Sequence, residues 1–239
     1  MKKLNSQENL EQIPLLLNKP TKSELKNGII GNNHEALEAL KSFIYSEYIQ
    51  IKSFLLWGNQ GSGKSFWLQA WANEISTSKY FNLKKDILTE YKGKKVIILD
   101  NLEYASSENQ DFIFKLFNLQ KNSKIKILGS TANIFKITNN NDFREDLLTR
   151  LKQGLIYKLN PLTDTEKLYA LKEYIYSVGW LSTREDCTYD ALLNYMLQRF
   201  PRQLTILKNI LINSHNLALK KKCPVTINLV KSILENIEK

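Results

Sequence analysis

Two hydrophobic periods run along the chain. Between Asn32 and Leu159, short apolar runs alternate with stretches whose apolar residues recur every three or four positions. Ile51–Trp57, Val96–Leu99, Ile125–Gly129 and Leu155–Leu159 read as buried strands, and Tyr80–Leu83 as a short fifth one. Ala36, Leu37, Leu40, Phe43 and Ile44 form one helical stripe after Asn32 and Glu35, which are spaced as a capping box. Further helices are expected over about 64–78 and 108–121. Strands alternating with helices imply an α/β domain over 28–160, a five-stranded parallel sheet with helices on both faces. After Pro161 no strand-like run returns. Thr163 and Glu166 form a second capping box, for a helix to about Val178 stopped by Gly179. Helical patterns over about 186–199, 202–219 and 226–237 complete a small all-helical domain, 161–239. Residues 1–27 are polar around one apolar island, Ile13–Leu17, closed by Pro20, and read as an extended arm. There is no internal repeat.

Composition narrows the class. The 239 residues can bury a real core. No apolar run reaches the ~18 residues of a membrane span, and the start turns polar at once, so neither a membrane protein nor a secretory signal is expected. Cys187, Cys223, His34 and His215 are too scattered for a zinc cluster and read as packing or surface residues. Two lone cysteines suit a reduced cytoplasmic compartment. The net charge of +10 favours polyanions, yet only five of the 34 basic residues are arginine: Arg144, Arg150, Arg184, Arg199 and Arg202. Abundant Lys, Asn and Ile suit an A/T-rich genome, and the runs Lys92–Lys95 and Lys220–Lys222 read as solvated faces. Where lysine is the default cation, a retained arginine is a candidate for a site that needs the planar fork.

Gly58-Asn59-Gln60-Gly61-Ser62-Gly63-Lys64-Ser65 matches the phosphate-loop pattern in full and sits between a strand and a helix. The glycines let backbone amides wrap the phosphates of ATP or ADP, with Lys64 on the β/γ-phosphates, Ser65 on Mg²⁺, and Phe66 next along the helix. The strand Val96–Leu99 ends in Asp100, an acid placed for the same Mg²⁺. Asn101 follows where an acid often activates the attacking water; asparagine can orient water but is no base. Glu103 is near but displaced from that place.

With these motifs, the strand ending Ile127-Leu128-Gly129-Ser130-Thr131, the segment Phe143–Tyr157 and the lid sequence Phe200-Pro201-Arg202-Gln203-Leu204 resemble the DnaA branch of the AAA+ ATPases over about 25–237. Asp100–Glu103 and Gly154–Asp164 look more like the regulatory members of that branch than like the initiator. The resemblance implies that Thr131 takes the sensor-1 place, where the branch usually has an acid, and that Ile29, Ile30 and Gly31 cradle the adenine. It implies that Arg150 is an arginine finger acting in trans on a neighbouring subunit and that Arg202 reaches the bound nucleotide from the lid. Gln12, Ile13, Leu15 and Leu17 resemble the peptide that docks replication proteins on the DNA polymerase sliding clamp. A full initiator would need a further DNA-binding domain after the lid, so origin-specific base readout is not expected.

The function implied is negative regulation of replication initiation in the bacterial cytoplasm. The protein would hold ADP or ATP, dock on the DNA-loaded clamp, form homo-oligomers, touch DNA mainly through the clamp, and promote hydrolysis of DnaA-bound ATP through Arg150. Two alternatives stand beside it: an autonomous ATPase of the helicase-loader or DNA-remodelling type, and an adaptor in which nucleotide only stabilises the fold.

Overall fold

The computed structural model describes residues 23–46, 53–89, 91, 93–120, 124–134 and 143–237. Five strands, β1 (Ser53–Trp57), β2 (Ser78–Asn82), β3 (Val96–Asp100), β4 (Lys126–Thr131) and β5 (Leu155–Lys158), form one sheet of order β2-β3-β4-β1-β5 with every pair parallel. Eight α-helices lie among the described residues: α1 (His34–Tyr45), α2 (Lys64–Glu74), α3 (Ser107–Leu119), α4 (Glu145–Lys152), α5 (Asp164–Ser177), α6 (Asp190–Arg199), α7 (Leu204–Lys221) and α8 (Ile227–Ile237). The described residues fall into two compact units, one within Lys22–Ala170 and one within Leu171–Lys239. The division falls inside α5.

In the first unit the strand period of two decides which helix each side chain meets. Phe54, Leu56, Ile98 and Leu128 pack with Leu37, Leu40 and Phe43 of α1 and Trp67, Leu68 and Trp71 of α2. Leu55, Ile97, Leu99 and Ile127 point the other way, against Ile113, Leu116 and Phe117 of α3 and Leu147 and Leu151 of α4. Burying each such side chain contributes about 1.5–3 kcal/mol. In the second unit Ile175, Leu193, Met196, Leu207, Leu211 and Val230 are buried in a helical core.

The expected α/β class and five parallel strands are observed, with shifted boundaries. The helix expected over 64–78 stops at Glu74, because Ser78 already pairs with Val96 as the start of β2. The helix expected from 186 begins at Asp190. The capping box expected at Asn32 and Glu35 does not form. Asn32 lies in a 3-10 turn, and the N-cap Asn33 turns its side chain to Asn160 instead. The second box does form: Glu166 Oε2 accepts from Thr163 N at 2.7 Å and Thr163 Oγ1 from Glu166 N at 3.3 Å.

One lysine ties the start of the central strand β4 to the end of α1. Lys126, opening β4, donates from Nζ to the carbonyls of Phe43, Ile44 and Ser46 at 2.7, 2.7 and 2.6 Å. These oxygens end α1, where carbonyls lack helical partners and the dipole is negative. Lys126→Met is therefore expected to cost about 1.5–3 kcal/mol in urea unfolding, with nucleotide affinity unchanged. A loss below about 0.5 kcal/mol would mean that water replaces the lysine without penalty.

Candidate nucleotide site

β1 lies between β4 and β5, so the chain leaving its carboxyl end enters the crevice where the strand order reverses direction. Gly58 opens that loop. Its N–H donates to the Thr131 carbonyl at 3.3 Å, and a Cβ here would lie 2.3 Å from the Leu159 carbonyl oxygen. Gly63, at φ 94°, is the N-cap of α2. Both places exclude ordinary side chains and leave a loop that can wrap backbone amides around an anion. Asn59, Gln60 and Gly61 are exposed, Ser62 is buried, and Ser65 and Phe66 are half-buried.

Lys64 is the first residue of α2 and is itself buried. Its ammonium donates to the Gly58 and Asn59 carbonyls at 2.6 and 3.0 Å and to Ser62 Oγ at 3.4 Å. Burial pushes its pKa below the usual lysine range, against the upward pull of the Glu103 and Asp100 charges.

The residues expected around the adenine are pinned to this loop from the outside. Gly28 lies so close on the Trp67 ring that a Cβ would meet it at 2.2 Å. Asn33 and Asn160 exchange hydrogen bonds at 3.0 and 2.7 Å, and Gly31, at φ 52°, faces the Glu166 carboxylate. Ile29 and Ile30 thus lie on a segment held between α2 and the exit of β5, with Ile30 exposed.

Asp100 ends β3 fully buried. Its Oδ2 accepts from the Tyr80 hydroxyl at 2.8 Å, and its Oδ1 accepts a short hydrogen bond from the Ser130 hydroxyl. Burial first, and the Asp100 charge among the lesser causes, hold the Tyr80 phenol well above its ordinary pKa. Asn101 follows in the left-handed region at φ 63°. Its N–H donates to Ser130 Oγ at 3.1 Å, and its side-chain amide donates to Asn82 Oδ1 at 3.0 Å.

The 3-10 turn Leu102–Tyr104 then brings Glu103 back toward the site. Glu103 Oε1 accepts from Ala132 N at 3.1 Å, whereas its buried Oε2 has no hydrogen-bond partner among the described residues. Of the acids acting on Lys64, Glu103 exerts the larger effect. Sequence reasoning set Glu103 aside on spacing alone and missed Tyr80 and Ser130. The only signal for those two was a hydroxyl on each strand flanking β3. Thr131, also buried, spends its hydroxyl on the Asn133 backbone, at 3.3 and 3.4 Å.

Arg150 lies in the last turn of α4, half-buried, its guanidinium 4.5 Å from the centroid of the Phe114 ring. Among the described residues no carboxylate pairs with it. Its helix ends toward Gly154, which packs on Ser53 at the opening of β1, whereas the phosphate loop leaves the other end of that strand. The strand between spans about 15 Å. Arg202 is exposed just before α7 and belongs to the second unit. Gln12, Ile13, Leu15 and Leu17 lie outside the described residues.

These groups suit a nucleotide. The glycine loop and the start of α2 offer amides, and Lys64 a cation, to phosphate oxygens. Ser65 and Asp100 are oxygen donors of the kind magnesium takes, and Asp100 keeps lone pairs beyond its two hydroxyl partners. The orphaned Glu103 oxygen is an acceptor for a water.

Comparison with known proteins agrees with this geometry. A family model described as RNA helicase matches residues 54–133, from β1 through the phosphate loop to just past β4. An uncharacterized protein of Haemophilus influenzae is 28% identical over 242 residues, covering 94% of this chain and 98% of its own. Domain III of the Thermotoga maritima replication initiation protein DnaA superposes with a TM-score of 0.71 at 16% identity, over 90% of this chain and 97% of that one. AMPPCP-bound DnaA from Aquifex aeolicus superposes at 0.66 and 18% identity, over 91% and 70%. The chain therefore has the fold of domain III of the replication initiation protein DnaA.

Proposed function

We propose that this protein is an Hda-type regulatory inactivator of DnaA: it holds ADP or ATP, docks through its N-terminal arm on the DNA-loaded sliding clamp, and offers Arg150 to ATP held by an adjoining DnaA subunit. The observation that carries the reading is Arg150 itself. It is a permanent cation with no carboxylate partner among the described residues, on the helix that ends at the far side of β1 from its own phosphate loop. Such a group cannot serve its own nucleotide, but it can meet a neighbour's. A guanidinium placed on a transferring phosphoryl group is worth roughly 10³–10⁵ in rate in other NTPases.

In this reading the chain's own nucleotide has a structural and gating role. The glycine loop and Lys64 hold its phosphates, and Ile29 to Gly31 cover its adenine. The family resemblance assigns Arg202, in the helical domain expected over 161–239, to the same nucleotide. Thr131 stands at the sensor place with its hydroxyl already committed to Asn133. Ser65 and Asp100 would hold Mg²⁺, which when bound neutralises charge on the phosphate oxygens. Asn101 is bonded to Asn82, which supports slow turnover in the isolated protein. The Aquifex aeolicus relative of the same fold is bound to AMPPCP, which supports a nucleoside triphosphate or diphosphate as ligand. The arm motif, the net charge of +10 and the clamp fit a cytoplasmic, DNA-proximal assembly of more than one AAA+ subunit.

A second reading, an autonomous ATPase, draws on the Glu103 carboxylate, whose free oxygen could orient water where Asn101 does not. Turnover separates the two: the inactivator is expected to hydrolyse ATP well below about 1 s⁻¹, the lower bound of ordinary enzymes. Lys64→Ala is expected to weaken ADP by at least ~10-fold in calorimetric titration. The decisive assay follows DnaA-ATP turnover in the presence of this protein and clamp-loaded DNA. Arg150→Ala is expected to lose the stimulation while keeping ADP affinity and clamp binding, and Arg150→Lys to recover little, since lysine lacks the fork. Replacing Gln12 and Leu15 together by alanine is expected to abolish clamp binding with ADP affinity unchanged. Normal stimulation by Arg150→Ala would sink the in-trans reading, and normal clamp binding by the arm variant would put the clamp contact elsewhere.

A further inference from the structure

Phe114 has no place in the core. On α3, Ile113, Leu116 and Phe117 are buried under the sheet, whereas Phe114 is half-buried and belongs to neither core cluster. What it touches is charge. The guanidinium carbons of Arg144 and of Arg150 each lie 4.5 Å from its ring centroid.

Two like charges on one ring repel unless one of them is compensated. Arg144 is: it makes a short ion pair with Asp111 of α3, and it grips Asp146 of α4 at 2.6 and 3.1 Å. The Asp146 carboxyl is held below its ordinary pKa by Arg144 first, with the Arg150 charge adding a smaller share. The result is an ion cluster that bridges α3 and α4 and fixes the ring's surroundings. Arg150 feels the Asp146 charge at a distance but takes no part in those bonds, and its one direct contact in the cluster is the ring.

The difference between a ring and a carboxylate is decisive for a group that must bind phosphate. A carboxylate would orient Arg150 but would also neutralise the charge the phosphate needs, and would have to be displaced. An aromatic face orients the planar fork by cation–π attraction and leaves its donors open. We propose that Phe114 is the positioning residue of Arg150, holding its guanidinium ready for the terminal phosphate of a nucleoside triphosphate bound by an adjoining subunit. This rests on the in-trans reading above. It assigns to Arg144, by contrast, a purely bracing role through Asp111 and Asp146.

The test pairs two replacements of Phe114 with the Arg150 variants in the full-length protein. Phe114→Leu keeps an apolar side chain and removes the π face; Phe114→Tyr keeps the face. In the DnaA-ATP assay with clamp-loaded DNA, Phe114→Leu is expected to lower the maximal stimulated rate between about 3- and 30-fold, and Phe114→Tyr to stay within about 2-fold of wild type. The arginine Nε–Hε resonance of Arg150 supplies a readout independent of DnaA. It is expected to show a ring-current shift and restricted motion in wild type and Phe114→Tyr, and to move to free-arginine values in Phe114→Leu. If Arg150→Ala abolishes stimulation but Phe114→Leu stimulates fully, the positioning role is wrong and the in-trans reading stands. If Arg150→Ala itself stimulates fully, the in-trans reading fails and takes this proposal with it. A free, mobile Arg150 resonance in the wild type overturns the proposal whatever the rates, including the case where Phe114→Leu fails to fold.

Discussion

The functional end of the sheet depends on a buried carboxylate. Asp100 is 1% exposed at the tip of a strand buried along its whole length. A charge taken out of water is tolerated only with hydrogen-bonded partners. The partners come from both neighbouring strands, Tyr80 on β2 and Ser130 on β4. Ser130 also accepts from Asn101 N, and the Asp100 carbonyl accepts from Leu83 N, so the chain leaving β3 and the chain leaving β2 are tied to the same point. Three strand ends are thereby fixed in register beside the phosphate loop, whose own first amide is bound to Thr131, the neighbour of Ser130. The acid therefore organises its surroundings before any ligand enters, consistent with preorganised sites in general.

How much of this was legible in the sequence follows from how local each cause is. Val96 to Leu99 and Ile127 to Gly129 are apolar runs buried on both faces, and such runs read as buried strands. The phosphate loop was legible because its glycines answer a purely local backbone demand. The short strand β2 was harder. Its burial alternates weakly, and its start at Ser78 is imposed by pairing with Val96. The same nonlocal cause cut α2 short. The Asn32–Glu35 box failed because α1 starts one residue later, with Asn33 as its N-cap, and the Asn33 side chain is committed to Asn160, distant in sequence. Local hydrogen-bonding signals yield when a distant partner offers two bonds at once.

The arginines show a different kind of legibility. Their scarcity beside many lysines marked all of them as worth following, but charge alone could not rank them. Their neighbours do. Arg144 and Arg184 are closed by carboxylates, Arg184 pairing with Glu173 at 2.9 Å beneath a Tyr176 ring. Exposed pairs of this kind are screened by water and serve mainly to fix geometry. Arg150 shares the aromatic contact without the carboxylate. A residue type that is retained for its fork has two separable uses, bracing and recognition, and whether a carboxylate closes on the fork in a direct ion pair distinguishes them.

The displaced acid near the phosphate loop obeys the same logic of geometry over spacing. Asn101 sits where linear spacing expects a base, but its left-handed backbone turns the side chain to Asn82. Asparagine tolerates that conformation better than glutamate would. The following 3-10 turn then carries Glu103 over the end of β4, where Ala132 N anchors one oxygen and the other has no hydrogen-bond partner among the described residues. An acid next to Lys64 is therefore retained, but on a tether that runs through a turn instead of directly off the strand. Turns yield more readily than strand ends, so water held by such an acid is placed less tightly than water held by a residue at the position of Asn101. In the proposed reading that difference is why phosphate binding and slow hydrolysis go together: the phosphates meet the glycine loop and the start of α2, while the acid nearest the site is carried by the 3-10 turn Leu102–Tyr104.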